Sequence, residues 1–188
     1  MNNSPEKNMS EYEAFPEIQG RDDLQVRIEV PLLLRTLRVP MGGRMLEVGC
    51  GSGAALLELS NRLRPVYVVG ADIDRGLLDG ARNRFAAAGV AADFFHVDVR
   101  ALPFANGSFD VVIDFGTCYH IGRPAMALQE ISRVLRFGGL FVHETPISQL
   151  LAHPIRSFGR HLPWSSAPAL HADRTAILWA ARRKHESC

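Results

Sequence analysis

The 188 residues are 47% apolar and 22% charged, enough for one ordinary core and short for two, so a single domain is expected. A formal net charge of +1 argues against wholesale electrostatic capture of nucleic acid and favours a small or neutral partner. Three widely spaced cysteines, Cys50, Cys118 and Cys188, offer no C-x-x-C pair for zinc or redox work, so no metal site is expected and a reducing compartment fits.

Residues 1–20 are polar, carry Glu6, Glu11, Glu13 and Glu17, and form an expected mobile segment without the apolar run of a signal peptide. "VPLLLRTLRVP" is too short and too interrupted by arginine to span a bilayer, so a cytoplasmic protein with no membrane partner is expected. The domain itself is placed at residues 21–188. Its first periodic stretch puts Leu24, Ile28, Leu32, Leu33 and Leu37 at helical spacing, and Pro31 inside that run predicts two short helices or one bent helix.

After Gly42 and Gly43 the rhythm alternates. "RMLEVG" reads as a buried strand, "AALLELSNRL" as a helix, "VYVVGADI" as a strand, and "GLLDGARNRFAAAG" as a helix closed by Gly89. "ADFFHVDV" and "FDVVIDFG" follow as strands. "PAMALQEISRVLR" reads as a helix with a stripe of Leu128, Ile131, Val134 and Leu135, and Gly138-Gly139 leads into the strand "LFVHET". "ISQLLAHPIRSFGRHL" reads as a helix interrupted at Pro154, and "TAILWAARR" as a closing strand. The fold class that follows is α/β: a doubly wound, Rossmann-like sheet, mostly parallel with an antiparallel closing strand, and helices on both faces.

In such a sheet ligands sit outside the carboxyl ends of the strands, and "LEVGCGSG" is such an end. Its glycines permit a tight turn, let a ligand approach the backbone, and leave a helix amino terminus facing that ligand. The spacing is G-x-G-x-G, one residue shorter than the dinucleotide pattern G-x-G-x-x-G, which disfavours a pyrophosphate and with it a nicotinamide oxidoreductase. Asp72, about twenty residues on, stands where an acid takes ribose hydroxyls, so an adenosine-containing ligand fits.

Four segments in order, "LEVGCGSG", "VVGADID", "HVDVRALPFANGSFDVVIDFGTCYH" and "ALQEISRVLRFGGLFVHE", resemble the class I S-adenosylmethionine-dependent methyltransferases of the small-molecule type. The resemblance spans residues 44–144 and implies S-adenosyl-L-methionine as cofactor. It implies that Glu47, Gly49, Gly51 and Gly53 surround the methionine part, Asp72 takes the ribose with Ile73 against the adenine, Asp98 and Val99 read the adenine edge, and Phe115 lies beside the methionine. Phe137 stands where the family commonly has proline, and "FGTCYH" carries no signature of a particular acceptor atom.

Methyl transfer from a sulfonium requires an aligned nucleophile and exclusion of water more than acid–base machinery. Where the acceptor needs deprotonation, the base must come from the carboxyl ends of the fourth and fifth strands: Tyr119, His120, His143 or Glu144. His120 leads because histidine titrates near neutral pH, and Glu144 is preferred to its neighbour His143, which alternation turns to the other face. Acceptor recognition is expected from the amino-terminal helical segment, the loop after the fourth strand, and the stretch from Pro146 to His171, where Phe158 and Trp164 stand among His153, Arg156, Arg160 and His161. The expected function is methyl transfer to a small molecule, such as a natural-product or quinone-like intermediate. The alternatives are a macromolecule methyltransferase and a cofactor-binding scaffold or partner subunit without transfer. The sequence leaves the oligomeric state open.

Overall fold

A computed structural model describes residues 20–118, 120–144 and 178–182. Six strands among these residues form one sheet: β1 (Arg44–Val48), β2 (Tyr67–Asp72), β3 (Asp93–His96), β4 (Phe109–Asp114), β5 (Leu135–Glu144) and β6 (Leu178–Arg182). Their spatial order is β3-β2-β1-β4-β5-β6. β1 to β5 run parallel, and β6 pairs antiparallel with β5, Leu140 opposite Arg182 and Glu144 opposite Leu178.

The central strands are apolar on both faces because helices cover both. On one side Met45, Val111 and Val142 pack against α2 (Val30–Thr36), α3 (Ala54–Leu63) and α4 (Arg75–Ala88). On the other, Leu46, Val48, Val112 and Phe141 meet α5 (Pro124–Val134) and a 3₁₀ turn at Val99–Ala101. Each fully buried leucine or isoleucine contributes about 1.5–3 kcal/mol of transfer free energy, so these two layers hold the sheet between them. No helix among the described residues is long and apolar enough to cross a membrane.

Three local details depart from the periodicity of the sequence. The short α1 (Arg21–Leu24) continues through a π-turn at Gln25–Glu29 directly into α2. Pro31 has no N–H to donate and its ring crowds the preceding turn, and the wider π-turn stands just where that conflict arises. The widened turn also rotates the helix face: Val30 and Leu33 are buried, while Ile28 is exposed. In α5 the buried stripe is Ala127, Ile131 and Val134, and Leu128 points outward. β5 begins five residues before "LFVHET": Leu135 pairs with Phe109 and Leu140 with Val111, so five steps along β5 oppose two along β4. Gly138, at φ +73°, supplies the left-handed residue inside this bulge.

α4 is capped at both ends as its sequence predicts. The Asp74 carboxylate accepts from the N–H groups of Gly76 and Leu77 at 2.9 and 3.2 Å, and Gly89 closes the helix at φ +67°.

Candidate functional site

The strand order reverses at β1, whose neighbours are β2 on one side and β4 on the other. The crevice at the carboxyl ends of β1 and β4 is therefore the place where this architecture receives ligands. The glycine loop lies at its floor, and its three glycines answer to three different constraints. All have positive φ: 65° at Gly49, 52° at Gly51 and 75° at Gly53. A Cβ on Gly49 would lie 1.7 Å from the Thr117 hydroxyl oxygen, so this glycine admits the turn after β4. A Cβ on Gly53 would meet Ala81 at 3.0 Å and Phe85 at 3.3 Å, so this glycine admits α4. A Cβ on Gly51 would meet no atom within 4 Å, which leaves Gly51 as the glycine facing the open crevice.

Asp72 ends β2 beside that opening. One of its oxygens accepts the Gly51 N–H at 2.8 Å and the other the Asp74 N–H at 2.8 Å. Burial pushes the carboxyl above its ordinary range, and the two N–H groups pull it back. The carboxylate thus braces the loop with one edge and keeps further lone pairs for a ligand hydroxyl. Ile73 follows, half-buried, and its carbonyl takes a 2.9 Å hydrogen bond from His96 Nε2. The Arg75 guanidinium donates to His96 Nδ1 at 3.2 Å, which places the ring proton on Nε2.

Asp98 stands at the start of the 3₁₀ turn with both oxygens held by the Arg100 guanidinium and one also by the Arg100 N–H. Val99 has its side chain in the core, so only its backbone faces outward. Phe115 is likewise a core side chain, packed with Met45 and Val142.

Glu47 is the unusual group. It is 1% exposed, and neither carboxylate oxygen has a hydrogen-bond partner. Burial pushes its carboxyl well above the ordinary range, opposed by the positive Arg21 nearby. Arg21 comes from α1, pairs with Glu29, and donates to the Phe115 carbonyl at 3.2 Å. The next residue, Asp22, accepts from the Ser52 hydroxyl at 2.7 Å and from Arg84 at 2.5 Å. Residues 21 and 22 thereby bridge from the glycine loop to the end of β4, above Glu47.

On the β4 side, Asp114 is fully buried and accepts three N–H groups: Thr117 at 2.6 Å, Cys118 at 3.2 Å and His143 Nδ1 at 2.8 Å. His143 sits opposite Asp114 in the parallel register of β4 and β5. His120 closes the same turn with its N–H on the Thr117 carbonyl, and its Nε2 is sealed from solvent. Burial pushes the thiols of Cys50 and Cys118 upward, so both remain protonated packing groups. Tyr119 and the stretch from Pro146 to His171 lie outside the described residues, and Glu144 is described only as a strand position.

Sequence reasoning missed Arg21 and Asp114. The available signal for Asp114 was an acid and a histidine at the ends of adjacent parallel strands; for Arg21 there was none, because its place depends on the turn that carries α1 over the sheet. The described residues fit the cofactor that the sequence resemblance implies: an unpartnered buried carboxylate suits an ammonium, an arginine suits a carboxylate, and Asp72 suits vicinal hydroxyls.

Comparisons with known proteins identify the family of the chain. Residues 45–139, just over half the chain, match the family model described as "Methyltransferase domain". The chain is 29% identical over 170 residues to a ubiquinone biosynthesis O-methyltransferase of Ruegeria sp., covering 90% of this chain and 60% of that protein. It is 36% identical over 110 residues to a U6 snRNA (guanine-N(2))-methyltransferase of Bos taurus, covering 55% of this chain and 22% of that protein. The chain therefore spans less than two thirds of the length of these curated relatives. Among solved structures, the PH0226 protein of Pyrococcus horikoshii superposes with a TM-score of 0.60 at 27% identity, over 73% of this chain and 70% of that one. The chain belongs to the methyltransferase domain family, within the class I S-adenosylmethionine-dependent methyltransferases.

Proposed function

We propose that this chain binds S-adenosyl-L-methionine across the carboxyl ends of β1 and β4 and transfers the methyl group to a small-molecule acceptor. The observation that carries the reading is Glu47, a buried carboxylate with neither oxygen hydrogen-bonded, two residues before Gly49 of the glycine loop. A carboxylate left in that state costs several kcal/mol unless it is protonated or meets a cation, and the α-ammonium of a methionine supplies the cation. Gly51 provides the gap for that moiety, Arg21 a partner for its carboxylate, and Asp72 acceptors for the ribose. Ile73, Asp98 and Val99 border the adenine position, Asp98 with a carboxylate it shares with Arg100.

The cofactor supplies an electrophilic methyl group. The chain's contribution is to fix the direction of approach and exclude water, worth up to about 7–11 kcal/mol of the barrier. The bridge formed by Arg21 and Asp22 over the crevice serves the second purpose. The near-neutral charge favours a small acceptor over the RNA on which the Bos taurus relative acts by its name.

Calorimetric titration of the purified protein with S-adenosylmethionine, S-adenosylhomocysteine and NAD tests the reading. Micromolar binding of the first two and none of the third is expected. Binding of NAD alone, or of none, overturns it.

A further inference from the structure

Three places outside the cofactor reading were candidates for chemistry: the buried thiols, the His96–Arg75 pair beside Ile73, and the Asp114–His143 pair. The thiols are enclosed and held protonated. His96 has both ring nitrogens engaged. The third pair has the geometry of a proton-transfer site.

We infer that His143, aligned by Asp114, takes the proton from a phenolic hydroxyl acceptor at the carboxyl ends of β4 and β5; this rests on the cofactor reading above. Asp114 is 0% exposed and its carboxylate, an acceptor only, takes the His143 Nδ1–H at 2.8 Å. That assignment leaves the lone pair on Nε2. The ring is further fixed by stacking on Phe141, with centroids 5.7 Å apart and planes 26° apart. The histidine side chain retains 17% exposure against 0% for Asp114, so the ring, and not the acid, is open to an acceptor at the strand ends.

The pair is also mechanically joined to the cofactor loop. Asp114 holds the Thr117 N–H at 2.6 Å, and the Thr117 side chain occupies the space that Gly49 leaves open, with its hydroxyl donating to the Val48 carbonyl at 3.3 Å. One turn thus sets the separation between the glycine loop and the histidine. β5 lies two strand spacings from β1, about 10 Å, which leaves room for a sulfonium methyl and an acceptor ring between them.

The acceptor class follows from what such a base is for. A carboxylate acceptor arrives ionised and needs no base. A phenol ionises near pH ~10 and an imidazole near ~6.5, a gap that a base crosses as the oxygen takes the methyl group; an aliphatic hydroxyl lies much further away. Among the neighbours of His143, Asp114 is the charged group on β4, and α5 turns the apolar Ala127, Ile131 and Val134 toward the sheet. In the reaction the phenol O–H bond breaks and the proton passes to His143 Nε2. The oxygen lone pair forms the new C–O bond as the methyl carbon–sulfur bond breaks, its electron pair staying on sulfur. Products are an aryl methyl ether, a neutral thioether and an imidazolium that returns its proton to water. Asp114 is a positioning residue; it does not touch the acceptor.

Phenol and 4-nitrophenol, which ionises near neutral pH, are the probes. In the complex with S-adenosylhomocysteine, where no transfer is possible, the absorbance of bound 4-nitrophenolate against pH is expected to give a lower apparent ionisation point in the wild type than in His143→Gln. With S-adenosylmethionine, His143→Gln is expected to slow methylation of phenol by about a hundredfold to ten-thousandfold and of 4-nitrophenol by about tenfold or less. Asp114→Asn, which loosens the hold on His143 Nδ1, is expected to slow methylation of phenol more than that of 4-nitrophenol. Should that variant not fold, His143→Gln carries the test alone. Equal losses for both phenols, unchanged 4-nitrophenol ionisation, or no transfer to either phenol by a protein that binds S-adenosylhomocysteine overturns the inference. Failure of the wild type to bind S-adenosylhomocysteine overturns the cofactor reading beneath it.

Discussion

Two carboxylates lie at the carboxyl ends of adjacent strands, Glu47 on β1 and Asp114 on β4, each within the last two residues of its strand and each buried to 1% exposure or less. Asp114 has three N–H donors and organises a turn and a histidine; Glu47 has none. The same functional group at the same depth is spent on internal structure in one case and left for an outside cation in the other. Burial alone therefore does not identify a ligand site. Burial without internal satisfaction does, because a folded chain otherwise pairs its buried polar atoms.

Substitutions can break the contrast from either side. The largest effect is expected at Gly49: alanine there places a Cβ against Thr117 and disturbs the turn that Asp114 holds, with a loss of about 3 kcal/mol or more of stability. Gly51→Ala, by contrast, meets open space and carries only the left-handed strain of about 1–2 kcal/mol, yet is expected to abolish S-adenosylhomocysteine binding. Thermal unfolding and calorimetry on both variants check the pair; equal destabilisation, or retained binding in Gly51→Ala, removes the distinction between the two glycines.

Glu47→Gln comes next. Its affinity for S-adenosylhomocysteine is expected to fall by about ten- to hundredfold, the loss of a hydrogen bond to a charged group. Its stability is expected to move the other way. The folded carboxyl is raised by burial, so the wild type loses stability as pH climbs from the unfolded carboxyl's range near 4.5 toward the folded value. At pH 7 the glutamine variant should melt about 2–4 °C higher, and the difference should vanish as pH falls to about 4.5. Melting curves across that window decide it; a variant less stable at pH 7 would mean that Glu47 has a partner inside the fold.

Asp72→Asn should weaken binding by less, about three- to tenfold, since the amide oxygen still braces one N–H. The smallest effect, about 1 kcal/mol or less in stability, is expected for Asp22→Ala, whose partners Ser52 and Arg84 are partly solvated.

The sheet was legible in the sequence because the central parallel strands are short apolar runs ended by glycine or acid, and α4 carries its own caps, Asp74 and Gly89. The glycine loop was legible as a site, but its three reasons were not. Gly49 answers to Thr117, 68 residues away, and Gly53 to Ala81 and Phe85, contacts that spacing does not encode. The position of His143 was read only as far as alternation allows: the sequence does not tell that it is this residue that meets Asp114, a matter of the register between β4 and β5. The three-step bulge at Gly138 shifts that register, and no local pattern announces how many residues it absorbs. Ile28 and Leu128 were misplaced, one by the π-turn before Pro31 and the other because Ala127, one position earlier, takes the buried place beside Ile131 and Val134.

The contacts of α1 set a clock as well as a wall. Arg21 is fastened to the end of β4, and Asp22 to the glycine loop and to α4, so anything seated against Gly51 and Glu47 lies under a strap tied on both banks. Exchange of a spent cofactor for a fresh one requires those fastenings to open together. The residence time of the bound molecule is then expected to follow how often these ties release, and salt, which loosens the half-exposed Asp22–Arg84 tie, to shorten it.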